Sequence, residues 1–312
     1  MINQRISDFH KIVASRHDFI ISVAGHAWNR VKSKGEVLRI REFLSEKNKG
    51  VHTLNRWLPK LFIKSGFELK FAAILVHASP IVIPLKNFER DIPKDSLSAN
   101  PELGDLNLVF IYMDRTKVVR CARSILYQAK QKRASNKEAI SQGHQKYLYD
   151  HAQGFRYKDG KFANSKRRLP VASLRRRGMQ YLFVSETPVQ CSPVPSDNPA
   201  FIPWAESLFR FLLDAEGVII ASGIAKGNGW SKINEDLVTI FRDDNELKTH
   251  NISELASWFN DFKDPNHWYA KADEKSVGVS TLFVIVRDQK LPPDKNKREL
   301  QNKKIKTRIS SK

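Results

Sequence analysis

Two apolar runs joined by a short polar connection constrain this chain most strongly. Residues 105–112 and 118–129 are rich in β-branched and aromatic side chains, and the intervening MDRTK suits a tight turn. Two strands joined by such a turn pair antiparallel, so the start of the first run lies beside the end of the second. The sequence therefore predicts a β-hairpin with Asp105 at its start and with Gln128 and Lys130 at its end.

The polar ends of this hairpin predict a chemical site. Residues two apart in a strand share a face, so Gln128 and Lys130 point one way and Ala129 points the other. Burying an acid and a lysine together costs free energy unless they pair or a metal ion joins them. The Asp105 carboxylate, the Gln128 side-chain carbonyl and the Ala129 backbone carbonyl form an all-oxygen set that suits Mg²⁺ with retained waters. Lys130 would then orient an attacking water or stabilise charge on phosphorus, which predicts phosphodiester hydrolysis. Gln128 as a purely structural partner of Asp105 remains an alternative.

The rest of the chain alternates helical and strand patterns, which predicts an α/β fold. Residues 1–65 have mainly helical spacing, including a short helix at 53–65, and the apolar run at 67–83 is typical of a strand or a strand pair. After the hairpin we expect, in order, a helix at 136–153, a strand at 180–187, a proline-rich linker at 188–199, helices at 203–216 and 252–262, and a strand at 280–287.

The order Gly104-Asp105, hairpin, Gln128-Ala129-Lys130, with a helix before and after, resembles the PD-(D/E)xK nuclease superfamily. The Gln in place of the usual acid is similar to its Mrr-like restriction branch. The resemblance covers about residues 55–155 and implies a restriction-endonuclease-like core, with a mixed central sheet flanked by helices. It also implies a further acid near the preceding helix, for which Glu68 is the candidate and Glu102 the alternative.

The resemblance sets the expected domains and function. We expect a helical N-terminal extension (1–52), a nuclease-like core (53–187), a C-terminal α/β part packed on the core (188–288) and a basic, disordered tail (289–312). The implied activity is an endodeoxyribonuclease that uses Mg²⁺ or Mn²⁺ and acts in bacterial restriction or antiphage defence. Its catalytic residues would be Asp105, Gln128, Lys130 and Glu68. A non-catalytic nucleic-acid-binding subunit of a multi-protein defence complex is the alternative.

The charge of the chain supports a polyanionic partner. The formal net charge is +20, and residues 155–180 hold nine Lys and Arg against Asp159 alone. Two like-charged triplets in that stretch repel one another unless phosphates lie between them, which predicts DNA contacts. The triplets are Lys166, Arg167, Arg168 and Arg175, Arg176, Arg177. The tail is also basic, but for it a solvated segment is favoured over a nucleic-acid arm.

Several other classes are disfavoured. Two cysteines, Cys121 and Cys191, form neither a disulfide framework nor a four-ligand zinc site. The N-terminus lacks the uninterrupted apolar core of a signal peptide, and no run reaches the about 18 apolar residues of a membrane span. We therefore expect a cytoplasmic protein with no membrane partner. A partner protein of a defence system and a homodimer, which would supply two active sites for two strands, remain open.

Overall fold

A computed structural model describes residues 2–76, 78–86, 100–131, 143–194, 200–222, 225–239, 268–271 and 278–290. These residues form an α/β structure in which a large mixed sheet is flanked by helices. The predicted helix at 252–262 and residues 291–312 of the predicted tail lie outside the described residues. Across the described ranges, no helix is long and apolar enough to cross a bilayer.

The helices and strands follow one another in a mixed order. The helices are α1 (Ile2–Ala14), α2 (His17–Asn29), α3 (Glu36–Ser45), α4 (Gly50–Trp57), α5 (Gly143–Lys146), α6 (Ala172–Gly178), α7 (Trp204–Leu212) and α8 (Trp230–Thr239). The strands are β1 (Phe67–Leu75), β2 (Val82–Leu85), β3 (Leu106–Asp114), β4 (Val119–Lys130), β5 (Gly154–Tyr157), β6 (Lys166–Arg168), β7 (Met179–Phe183), β8 (Gln190–Pro193), β9 (Ile202–Pro203), β10 (Val218–Ile220), β11 (Tyr269–Lys271) and β12 (Ser280–Asp288).

The large sheet is built around the predicted hairpin. Its strand order is β11-β1-β12-β3-β4-β7-β8-β9, and β10 also pairs with β4. The β3 and β4 strands are antiparallel, and β7 runs parallel to β4. The β12 strand lies between β1 and β3, antiparallel to the first and parallel to the second. The expectation that residues 188–288 form a part packed on the core is therefore wrong for β12, which is a central strand of the core sheet.

Both faces of the hairpin are covered, because alternate side chains of β3 enter two different apolar clusters. Leu106, Leu108 and Phe110 pack in the cluster that includes α1 to α4 and α7. Val109 and Ile111 pack on the opposite face, in the cluster that includes α8 and β7. Every residue of β3 is buried, which explains its nearly continuous apolar sequence.

The predicted helix at 53–65 differs from the observed structure in its bounds. The α4 helix ends at Trp57, and two short 3₁₀ turns, Leu58–Leu61 and Ile63–Ser65, continue the segment. Pro59 has no N–H to donate to the preceding turn, so a regular α-helix ends before it. Gly66 closes the segment with a φ of 83°, a left-handed conformation that glycine adopts without a Cβ clash.

A second sheet of three strands, β2-β5-β6, accounts for other differences. The apolar run at 67–83 spans β1 and the start of β2, which belong to different sheets. The basic stretch at 155–180 contains β5, β6 and α6, none of which its charge pattern predicted. Of the predicted helix at 136–153, the described part is α5 and a π-turn at Tyr147–His151.

Candidate active site

The polar ends of the β3–β4 hairpin meet at one end of the central sheet. Leu106 at the start of β3 pairs with Tyr127 of β4, and the Asp105 N–H donates to the Tyr127 carbonyl oxygen at 2.9 Å. Asp105 therefore lies beside Gln128. The structure brings together Asp105, Gln128 and Lys130, as the sequence predicted, and all three are buried.

Asp105 and Gln128 are in direct contact. Asp105 Oδ2 accepts a hydrogen bond from Gln128 Nε2 and a second one from the Ala129 N–H at 2.7 Å. Gln128 thus partners the acid structurally, which was the alternative reading of this residue. Its Oε1 atom, however, is buried and has no hydrogen-bond partner among the described residues. A buried acceptor without a partner costs about 1–3 kcal/mol, so a cation that reached this oxygen would remove that cost.

The N–H and C=O of Ala129 both face the side of β4 on which Asp105 lies. In an antiparallel ladder, the N–H and C=O of one residue point to the same neighbouring strand. Because the Ala129 N–H reaches Asp105, its carbonyl also lies on the side of Asp105, beyond Leu106, the first residue of β3. Three oxygen-bearing groups, from Asp105, Gln128 and Ala129, are therefore close together.

Lys130 is held by a residue that the sequence analysis did not single out. Its Nζ donates to Gln145 Oε1 on α5. Burial lowers the pKa of Lys130, and the nearby carboxyls of Glu36, Asp105 and Glu102 oppose this effect. The ammonium is thus oriented by an amide, and three acids act on it electrostatically.

Two acids besides Asp105 lie within electrostatic reach of Lys130. Burial raises the pKa of Glu102 and of Glu36, and the charge of Lys130 acts in the opposite direction on both. Burial also raises the pKa of Asp105, to about 7; the bond from Ala129 and the charge of Lys130 oppose the rise, and Glu102 and Glu36 add to it. At Asp105, burial therefore outweighs the groups that stabilise the charged form, and the two neighbouring acids add to this effect.

Glu68, the predicted further acid, is at the other end of the sheet. It lies opposite Arg287 in the β1–β12 register, accepts a hydrogen bond from Gln289 Nε2 at 2.9 Å and lies 3.7 Å from Arg287 Nη1. The strand β1 ends at Leu75 near the site, so Glu68 is roughly 20–25 Å away along the strand. The assignment of Glu68 to the site is therefore wrong. The alternative acid, Glu102, is the one that the structure brings near Lys130.

Glu36 was missed by the sequence analysis. It is the first residue of α3, after Gly35, and reaches the site from a helix that precedes β1. The glycine followed by an acid at a helix start was visible in the sequence. Its proximity to Lys130 was not, since 93 intervening residues separate them.

The turn before Asp105 is packed tightly. A Cβ on Gly104 would lie 2.8 Å from Leu126 Cδ1 and 3.0 Å from the Tyr149 hydroxyl oxygen. That hydroxyl donates to the Leu103 carbonyl at 3.0 Å, and Ser79 Oγ donates to the Gly104 carbonyl at 2.8 Å. The requirement for glycine next to Asp105 is thus steric. Tyr149 and Gln145, four residues apart, hold the turn before Asp105 and the Lys130 ammonium, respectively.

An open cleft of about 430 Å³ gives access to this end of the sheet. Asp105 and Glu102 line it, together with Arg41 of α3 and Asp159 of the turn between β5 and β6. Its walls also include apolar side chains of α3 and β1, namely Val37, Ile40 and Leu75. A bound molecule in this cleft would contact the two acids directly.

The six basic residues assigned to nucleic acid separate into two groups. Arg167 is buried against Asp236, with Nε 2.5 Å from Oδ2, and Arg175 is buried and donates to the carbonyl oxygens of Ala152 and Tyr149. For these two arginines the prediction of phosphate contacts is wrong, since their donors stabilise the fold. Lys166, Arg168 and Arg176 are exposed, and Arg177 is partly exposed and donates to the Asp214 carbonyl at 2.7 Å.

The donor set of the site fits a hard cation. Among the residues that the structure describes, no three His, Cys, Asp or Glu side chains form a metal-binding group. The candidate ligands are instead one carboxylate, one amide oxygen and one backbone carbonyl, which is the oxygen chemistry that Mg²⁺ prefers. The unpartnered Gln128 Oε1 and the buried Asp105 carboxyl, with Glu102 and Glu36 acting on it, are the observations that fit such an ion.

Comparison of the chain with protein-family profiles, with curated proteins and with solved structures finds no match. The functional conclusion therefore depends on the geometry of the cleft and of the residues around Asp105.

Proposed function

We propose that this protein is a divalent-metal-dependent DNA nuclease that hydrolyses phosphodiester bonds. One observation carries the proposal: Asp105, Gln128 and Lys130 converge at the end of the central sheet, with the Gln128 Oε1 buried and unpartnered. A buried acid with a raised pKa beside a buried lysine with a lowered pKa is typical of functional sites.

Asp105, Gln128 and the Ala129 carbonyl are the groups that would hold Mg²⁺ or Mn²⁺. When bound, the ion would supply Lewis-acid stabilisation of phosphate charge and a lowered pKa for a coordinated water. A bound cation would offset the cost of burying the Asp105 carboxylate, whose pKa is raised first by burial and then by the charges of Glu102 and Glu36.

Lys130 is the group that would act on the reacting atoms. With its pKa lowered by burial, its Nζ exchanges a proton more readily than a solvated lysine does. Gln145 Oε1 accepts from Nζ and so restricts its position. Lys130 would orient the attacking water or stabilise charge on the phosphorus, and Glu102 would share in proton transfer at the cleft.

Exposed cations beside the cleft support a nucleic-acid substrate. Asp159 lines the cleft, so the basic hairpin, defined as residues 154–168, borders it. The hairpin exposes Lys158, Lys161, Lys166 and Arg168. Lysines along one edge of an acidic cleft would hold the phosphates on either side of the bond to be cut.

The topology around the hairpin supports the same proposal. The β7 strand follows α5 in the chain and pairs with β4, which fits the helix and the strand expected after the hairpin from the resemblance to the PD-(D/E)xK superfamily and its Mrr-like branch. The β12 strand, from the last part of the chain, lies between β1 and β3. A role in restriction or antiphage defence is part of the proposal and comes from this resemblance.

The test is cleavage of supercoiled plasmid, duplex and single-stranded DNA, and RNA by the purified protein with Mg²⁺ or Mn²⁺. We expect metal-dependent cutting that falls by at least about 1000-fold in Asp105→Ala and in Lys130→Ala. Glu102→Gln should show an intermediate loss, and Glu68→Gln is the matched control that should retain activity. Equal cutting by the wild type and the Asp105 and Lys130 variants, all folded by circular dichroism, would falsify the proposal.

A non-catalytic nucleic-acid-binding subunit is the second candidate. It is favoured by the closed contact between Gln128 and Asp105 and by the absence, within the described ranges, of three clustered metal-binding side chains. This candidate predicts salt-dependent DNA binding that is unchanged by EDTA and no cutting with either metal. Calorimetric Mg²⁺ binding that is lost in Asp105→Ala would count against it.

A further inference from the structure

A second surface with an unusual charge pattern lies away from the cleft. Between Glu46 and Glu68 the sequence has no acid but five Lys and Arg. The segment contains α4 and the two 3₁₀ turns that lead to β1. Its exposed large and basic side chains at the end of α4 and in the turns form what we call the Trp57 surface: Arg56, Trp57, Lys60, Ile63 and Lys64.

The aromatic residue of this surface is unusually placed. Trp57 is 41% exposed, whereas the other large aromatic side chains nearby, such as Phe62, are buried. Lys60 Nζ lies 4.7 Å from the centroid of the Trp57 ring, and Arg56 Cζ lies 5.5 Å from it. A partly exposed indole with two cations near its ring brings an apolar stacking platform and positive charge into one place.

The cations of the Trp57 surface are not neutralised locally. Among the described residues, Arg56, Lys60 and Lys64 form no ion pair with a carboxylate. These positive charges also affect His52 on α4. Burial lowers the pKa of His52, and the charges of Lys47 and Arg56 lower it further. Unpaired cations that repel one another gain free energy when an anion lies between them.

The location separates this surface from the candidate active site. Ile63–Ser65 lead through Gly66 into Phe67, which pairs with Asp288, whereas Asp105 lies where β12 and β3 begin. The two places are at opposite ends of the central sheet.

We propose that the Trp57 surface binds single-stranded nucleic acid, with a base stacked on Trp57 and the adjoining phosphates on Arg56, Lys60 and Lys64. A base in a strand without a partner exposes a face to an indole, which a base within a duplex does not. An anionic membrane would use the cations and a larger apolar set than Trp57 and Ile63. An acidic peptide would use the cations but would gain little from the ring.

The binding experiment uses the full chain in EDTA, so that it does not depend on the nuclease proposal. The probes are fluorescein-labelled dT15 and a labelled 15-base-pair duplex, followed by fluorescence anisotropy. We expect Trp57→Leu to weaken dT15 binding by about 5- to 100-fold, with less than a twofold change for the duplex. The double variant Arg56→Gln/Lys60→Gln should reduce the slope of log affinity against log salt by about 1.4 for dT15, since each phosphate contact contributes about 0.7 for single strands.

Phe19→Leu is the matched control, because Phe19 is also 41% exposed but lies on α2 outside the Trp57 surface. It should leave both affinities unchanged. Unchanged dT15 affinity in Trp57→Leu, or equal losses for dT15 and duplex, overturns the stacking role. If Trp57→Leu lost binding to phosphatidylglycerol vesicles but kept its affinity for dT15, the surface would be a membrane-binding surface, and this result also overturns the proposal.

Discussion

The two ends of the central sheet each bury a carboxylate, and they treat it in opposite ways. Asp288, at the end of β12, accepts hydrogen bonds from Arg5 Nε at 2.9 Å, Arg5 Nη2 at 2.8 Å and the Tyr112 hydroxyl at 2.8 Å. Burial alone would raise the pKa of Asp288, but these donors outweigh it and the pKa is lowered. Asp105, at the other end, has a pKa raised to about 7 because burial and neighbouring acids outweigh its donors.

The difference separates a structural carboxylate from the carboxylate of the candidate site. Asp288, at the end of β12, pairs with Arg5 of α1, so its charge is compensated by protein groups. Asp105 lines an open cleft, and its charge is compensated incompletely. A buried acid that the fold leaves under-compensated is a better candidate for ligand binding than one that the fold saturates.

The largest expected effect is a loss of stability when Asp288 is replaced. Asp288→Asn should lower the free energy of unfolding by about 3 kcal/mol, because it removes the buried carboxylate that pairs with Arg5 at 2.8 Å and leaves the guanidinium paired with the partly exposed Asp8, 3.4 Å away. Asp105→Asn should cost less than about 1 kcal/mol in EDTA, because a neutral amide removes the cost of burying a charge and the smaller repulsion from Glu102 and Glu36. Urea denaturation of both variants measures the contrast, and similar losses for the two would remove it.

Gly104→Ala should give the next largest effect. The new methyl would lie 2.8 Å from Leu126 and 3.0 Å from the Tyr149 hydroxyl, which forces a shift of the turn that carries Asp105. We expect a loss of about 2 kcal/mol in stability together with loss of the proposed nuclease activity. Gly160→Ala is a control with open space around its Cβ, although its φ of 76° adds backbone strain. If Gly104→Ala retained wild-type stability and activity, the turn would not position Asp105.

Mg²⁺ should stabilise the protein by binding at Asp105 and not at Asp288. At a free ion concentration of ten times Kd, binding adds about 1.4 kcal/mol to the free energy of unfolding. Asp105→Asn should lose this increment, and Asp288→Asn should keep it on a lower baseline. Thermal melts with and without Mg²⁺, at equal ionic strength set with KCl, distinguish the two. An identical increment in Asp105→Asn would place the ion elsewhere.

Lowering the pH should remove the contribution of Asp288 to the free energy of unfolding. A carboxyl whose folded pKa is lowered stabilises the fold above its unfolded pKa of about 3.9, and the contribution is lost as the pH falls through the folded pKa. The stability difference between the wild type and Asp288→Asn should therefore shrink as the pH falls from 5 to 3. A difference that stayed constant over this range would contradict the lowered pKa.

The smallest effect is expected at Glu68. This acid is exposed and pairs with Arg287 at 3.7 Å, so Glu68→Gln should change stability by less than about 0.5 kcal/mol. It should also leave activity unchanged, in contrast to Glu102→Gln. A large loss of activity in Glu68→Gln would mean that the two ends of the sheet act together.

Sequence reasoning located the central part of the candidate site because that part is local. Asp105, Gln128 and Lys130 belong to one hairpin, whose turn length and period-two alternation determine which residues are neighbours. The acids were harder to assign, because Glu36, Glu68 and Glu102 lie on different elements whose relative positions no local pattern specifies. Gln145 was missed for the same reason.

Charge patterns were also only partly informative. The triplets at 166–168 and 175–177 are equally basic, but the fold buries Arg167 against Asp236 and Arg175 against backbone carbonyls. Whether an arginine faces solvent or satisfies internal acceptors depends on partners distant in sequence, so composition alone could not separate the two uses.

The sequence by itself determined the α/β class, the hairpin and the meeting of an acid with an amide and a lysine, because neighbouring residues and short turns control these features. Only the tertiary structure decided that β12 enters the sheet between β1 and β3, that Glu36 and Glu102 rather than Glu68 approach Lys130, and that a cleft opens there. The physical reason is that pairing between distant segments is selected by burial of both faces of the sheet, a property of the whole packed chain.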